Sequence, residues 1–123
     1  MSERVQWITH KGKRILFSDY SGLAGDEYIA ALEATEREII QHPAGSTLLT
    51  LVDLTDSTVS SAAVKRGQEL EVARKQRGVR TFVATVGLVG MKAVLIQFVR
   101  KDVHAVASVE EGKDWLAAQS DKK

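Results

Sequence analysis

Asp19, Asp53 and Asp56 are the side chains in this sequence that come nearest to a recognisable chemistry. Asp19 and Asp53 each close a short apolar run that reads as a strand, and open α/β sheets bind ligands beyond the carboxyl ends of their strands. Two carboxylates at that edge, with Asp56 as a third ligand, would suit Mg²⁺. The same residues have a plainer use, because Asp accepts hydrogen bonds from backbone amides two residues on and so closes turns. Turn closure is the preferred reading, since no Walker-type glycine loop or partner lysine completes a phosphoryl-transfer site.

A second cluster follows at once: Ser57, Thr58, Ser60 and Ser61 stand just after Asp53 and before a helical pattern. The first amides of a helix need acceptors, so at least one of these hydroxyls is expected to be a cap. A phosphate there would also be favoured by the helix amides and dipole, with Lys65 and Arg66 one turn further on. Asp53, Ser57, Thr58, Ser60 and Ser61 are therefore the candidate partner-binding or phosphorylation site. Gly87 and Gly90 read as a strand-to-helix turn, with anion binding as the alternative. His10, His42 and His104 fall in three different elements with no metal-type spacing and no cysteine beside them. No nucleophile elbow or zinc-helix motif is present. The expectation is no catalytic residue, no metal and no cofactor.

The elements that would position these residues can be read from periodicity. Val5 to Thr9 alternates, His10-Lys11-Gly12 offers turn chemistry and Arg14 to Phe17 resumes an extended pattern, which predicts a hairpin. Asp26 is placed as the cap of a first helix carrying Ile29, Leu32 and Ile39, stopped by Pro43 and Gly45. Thr47 to Leu54 is short and almost continuously apolar, as in a strand covered on both faces. A second helix from about Ser60 to Gln76 has a small inner face of Ala63, Gly67, Leu70 and Ala73 or Arg74, which predicts close packing on the sheet. Val79 to Val86 is a further strand and Val103 to Ala107 a last short one. Ser108 with Glu111 forms a capping box that opens a terminal helix burying Trp115 and Leu116.

Between Met91 and Lys101 lies a helical pattern whose apolar residues exceed one stripe. Met91, Val94, Leu95, Ile96 and Phe98 are thus candidates for an apolar ligand site or a homodimer face, the third option being cover by the terminal helix.

Strand, strand, then alternating helix and strand demands right-handed crossovers and parallel neighbours. The fold class is α/β: a mixed, mostly parallel sheet of about five strands with about four flanking helices, in the order ββαβαβαβα. Residues 1–123 suit one domain. Lys and Arg number 17 against 16 Asp and Glu, a net charge of +1, which gives no whole-domain attraction to nucleic acid. With no cysteine and no apolar run of membrane-spanning length, the expected setting is the cytoplasm.

This element order resembles that of STAS domains, the SpoIIAA-like anti-sigma-factor antagonists. Val52-Asp53-Leu54-Thr55 followed by serines and a helix resembles the family's strand ending in Asp-Leu-Ser with a helix-opening serine, the nearest match being Ser60 or Ser61. Lys11 to Leu23, Val86 to Leu95 and Ser108 to Leu116 are similar to bacterial proteins called STAS/SEC14-like. The resemblance implies the fold and a binding role in a bacterial cytoplasm. Ser60-Ser61 precedes Ala62-Ala63, whereas sigma-factor regulators carry Asp-Ser-Ser/Thr-Gly there, so the resemblance implies binding more strongly than a phosphoserine switch. The expected function is a non-enzymatic regulatory or protein-interaction module with an unidentified protein partner. The alternative is a carrier of a small apolar or acyl ligand, and the third reading a metal-dependent enzyme on Asp19 and Asp53.

Overall fold

The computed structural model describes residues 4–99 and 103–119. Strand β1 (Val5–His10) turns through Lys11 and Gly12 into β2 (Lys13–Asp19). Both turn residues have positive φ, 53° and 80°, which is the backbone of a two-residue hairpin loop whose twist matches the strands it joins. Helix α1 (Gly25–Ile39), strand β3 (Thr47–Asp53), helix α2 (Ser61–Arg77), strand β4 (Arg80–Val86), helix α3 (Gly90–Val99), strand β5 (His104–Val106) and helix α4 (Val109–Gln119) complete the order. The five strands form one sheet in the order β1-β2-β3-β4-β5, antiparallel at β1-β2 and parallel elsewhere. The expected α/β class and element order are therefore observed.

β3 lies at the centre, paired to β2 and β4, which is why its sequence is apolar on both faces. Leu49 and Leu51 point to one side, into a cluster with Ile15, Ala84, Val86, Val106 and Leu116. Leu48, Thr50 and Val52 point to the other, beneath α1 and α2.

The two sides are covered differently. α4 alone packs on the first side, running close over β3 and β4. Gly112 makes that approach: a Cβ built there would stand 2.5 Å from Leu51 Cδ1 and 3.3 Å from Val106 Cγ2. On the opposite side α1, α2 and α3 lean on one another, and α2 approaches no strand as closely as α4 does. The expectation that the small inner face of α2 packs close is thus overturned. Two spacers hold the helix off: the edge-to-face pair Tyr20–Tyr28, centroids 5.1 Å apart, and a buried ion cluster of Arg74 with Glu36 and Glu71. Arg74 rather than Ala73 continues the inner face, since Arg74 is buried and Ala73 exposed.

Two further expectations change. α1 starts after Ala24 with no side-chain cap, and Asp26 sits in the first turn, where its charge favours the helix dipole without bonding an amide. The terminal helix cannot cover α3, because the two lie on opposite sides of the sheet. By contrast, Ser60 caps α2 by accepting from Ala63 N at 3.1 Å, and Gly78 ends it in the left-handed conformation. Ser108 Oγ likewise accepts from Glu111 N at 3.1 Å at the start of α4.

Gly112→Ala should destabilise the protein by about 1–3 kcal/mol through overpacking, outweighing the gain of about 1 kcal/mol in helix propensity. Leu51→Ala should cost about 2–5 kcal/mol. The two together should cost less than their sum, because the second removes the side chain that the new methyl strikes. Chemical denaturation of the single and double variants measures this, and a stabilised Gly112→Ala protein would show that the approach is not close.

Candidate functional site

Three loops meet at the carboxyl edge of the sheet, and hydrogen bonds tie them together. Tyr20 N donates to Asp53 O at 2.9 Å and Gly22 N to Thr55 O at 3.0 Å, joining the β2–α1 loop to the β3–α2 loop. Thr58 N donates to Leu23 O at 2.9 Å, a second tie between the same loops. Leu54 N donates to Val86 O at 2.8 Å, and Lys92 Nζ donates to Leu54 O at 2.7 Å, which brings in β4 and the start of α3. Gly87 closes the contact. A Cβ there would meet Thr55 N at 2.8 Å and Thr55 Cα at 3.0 Å, and its φ is +77°. Its lack of a side chain serves the packing of one loop on another.

Within this edge the sequence-predicted residues divide by role. Ser57 is buried, and its Oγ donates to Leu54 O at 2.6 Å. Ser60 is occupied as the α2 cap. Thr58 and Ser61 are exposed, as are Thr55 and Asp56, the last with φ +59°. Asp53 Oδ1 accepts from Thr55 N at 2.9 Å. Asp19 Oδ1 accepts from Ser21 N at 2.9 Å and Ser21 Oγ at 2.6 Å, and Arg4 Nη1 stands 3.9 Å away. Asp19 and Asp53 are opposite each other in register, yet each closes its own turn as the plainer reading expected. Among the described residues no three His, Cys, Asp or Glu side chains gather as a metal site would need. His10 pairs with Asp114 at 2.7 Å, His42 packs on Trp7, and His104 stacks on Trp115 at 4.2 Å, so the histidines stay apart.

The described apolar residues of α3 do not share one environment. Leu95 and Ile96 are half-buried against the cluster of Tyr20, Leu54 and Val59, while Val94 is 50 % exposed. The side chains of Met91 and Phe98 lie outside the described residues.

Behind the edge, under α1 and α2, is a partly open cavity of about 110 Å³ that the sequence did not disclose. The sheet contributes Thr50, Val52, Val83 and Thr85 to it, and α2 contributes Ala63 and Gly67. Tyr20 OH pairs with Thr35 Oγ1 at 2.7 Å, and Thr35 Oγ1 donates to Ser18 Oγ at 2.9 Å or to Ala31 O at 3.0 Å. At the other end Arg74 Nη1 donates to Glu36 Oε1 at 2.6 Å and pairs with Glu71. The signal that could have revealed the cavity is the set of hydroxyls on one face of a parallel sheet, Ser18, Thr50, Thr81 and Thr85, all buried where aliphatic side chains are usual.

Burial raises the phenols of both tyrosines above their ordinary value of 10.0, Tyr28 to about 12 and Tyr20 further still. The neutral phenol is the form that folding favours. Above pH 10 the unfolded chain therefore releases protons that the folded one keeps, so this stabilisation is whole below pH 10 and lost as pH rises through 10 toward 12. The chain has two tyrosines, so its whole tyrosinate absorbance reports on this pair. An alkaline titration should show that absorbance appearing only above the ordinary value and in step with unfolding by circular dichroism; titration near 10.0 in the folded state would contradict the burial.

The chain matches no protein-family model and no curated protein.

Proposed function

We propose that this protein is a non-catalytic, STAS-like binding module that meets a protein partner through the edge from Asp53 to Ser61 and the first turn of α2. The observation that carries the reading is the bracing of that edge. Backbone hydrogen bonds join two of the loops, and the end of β4, the Lys92 side chain and the packing of Gly87 tie in the third, while Thr55, Asp56, Thr58 and Ser61 remain exposed upon the edge. A surface held in its bound shape loses little conformational entropy on association, which favours affinity without a large apolar patch. The engagement of both edge carboxylates in turn closure also favours binding over metal-dependent catalysis.

The first turn of α2 carries no acidic residue, and exposed Lys65 follows it. An acidic segment of a partner, or a phosphate on the module itself, would be stabilised by the helix amides there. Ser57 and Ser60 are occupied within the fold, which leaves Thr58 and Ser61 as the hydroxyls of the original cluster open to modification. A bacterial cytoplasm is the setting proposed for such a module, a reading supported by the resemblance in element order and consistent with a sequence that has no cysteine.

Thr58→Arg with Ser61→Arg should leave the fold intact, since both positions are exposed and neither side chain bonds the core. Affinity capture from the native host should recover a partner with the wild type and lose it at least tenfold with the double variant. If every captured protein is retained equally by both baits, the edge is not the binding surface.

A further inference from the structure

The cavity under α1 and α2 is propped at both ends. The Tyr20–Tyr28 pair stands at the carboxyl end and Arg74 with Glu36 and Glu71 at the amino end, while α2 offers Ala63, Val64 and Gly67 to the space between. A close-packed interior of this size would normally be filled by one more large side chain. Its floor also holds a polar group with nothing to bond. Thr50 is 3 % exposed, and its Oγ1 has no hydrogen-bond partner. Leaving a buried hydroxyl unpaired is costly, so such a group is normally satisfied by protein, water or ligand. Ile96 of α3 and Val103 bound the cavity on its outer side, toward β5.

We propose that this cavity is a binding site for a compact, uncharged ligand with an apolar body and one hydroxyl or carbonyl group that pairs with Thr50 Oγ1. Size sets the first limit: apolar cavities of about 150 Å³ accept benzene, so a volume of about 110 Å³ accepts at most about six non-hydrogen atoms. Charge sets the second. Glu36, Glu71 and Arg74 face the same space but are paired with one another, and Lys75 Nζ is 3.9 Å from Glu71 Oε1, so a charged ligand of either sign would meet no uncompensated counter-charge to offset its desolvation. A free fatty acid is thereby disfavoured. The walls of Leu32, Val52, Val83 and Ile96 supply the apolar contact.

Cyclopentanol, benzene and butanoate, each of six non-hydrogen atoms, serve as probes, read by two-dimensional NMR of methyl-labelled protein. Cyclopentanol should produce saturable shifts confined to the methyls of Leu32, Val52, Val83 and Ile96, with butanoate at least tenfold weaker. Thr50→Val, nearly isosteric, should weaken cyclopentanol by about three- to tenfold, the worth of one hydrogen bond, and leave benzene unchanged. Val83→Phe should fill the space and abolish both. Absence of saturable cyclopentanol shifts, as when ordered water alone fills the cavity, would overturn the site. Butanoate binding as tightly as cyclopentanol would overturn its selectivity. Equal loss of benzene and cyclopentanol in Thr50→Val would overturn the role of the hydroxyl, and this variant decides the matter should Val83→Phe fail to fold.

Discussion

The β3–β4 pair must be covered on both faces, and the two covers meet that demand at different distances. On one side Gly112 lets α4 settle against Leu51, with Ala84 and Val106 beside it, so the apolar layer there is thin and tightly interdigitated. On the other side large side chains hold α2 away. A parallel pair buried on both faces cannot leave either side to solvent, so α1, α2 and α3 must span the wider gap as a group. Edge loops and cavity both follow from this asymmetry.

The edge is rigid because its loops satisfy one another. Leu54 contributes its amide to Val86 and its carbonyl to Ser57 and Lys92, so one backbone unit at the end of β3 links three segments. Gly87 permits the approach because any side chain there would strike the backbone of Thr55, which cannot move aside as a flexible side chain can. Residues that look reactive in sequence, Asp19, Asp53, Ser57 and Ser60, are consumed in building this edge, and their exposed neighbours are left to meet a partner.

Polarity in the interior is the counterpart. Arg74 with Glu36 and Glu71 crosses from α2 to α1, and buried ion pairs of this kind seldom add net stability over apolar packing. Their effect here is geometric: they keep α2 at a distance that its own small residues would not. The relay of Tyr20, Thr35 and Ser18 places hydroxyl groups on the same side, tying α1 to β2 at fixed length.

The sequence by itself determined the element order, the central position of β3, the hairpin at Lys11-Gly12, the Ser60 and Ser108 caps and the turn-closing role of Asp19 and Asp53. These depend on local hydrogen bonding and on periodicity, which neighbouring residues carry within a few positions of one another. Tertiary structure alone decided how far each helix stands from the sheet. Ala63 and Gly67 read as a surface for close approach, and the distance was set instead by Tyr20, Tyr28, Glu36 and Arg74, residues scattered over three segments. The same holds for α3: its apolar excess was visible in sequence, while the fact that α4 covers the opposite face was not. Separation between layers depends on the largest side chains anywhere between them, and no short window of sequence contains that sum.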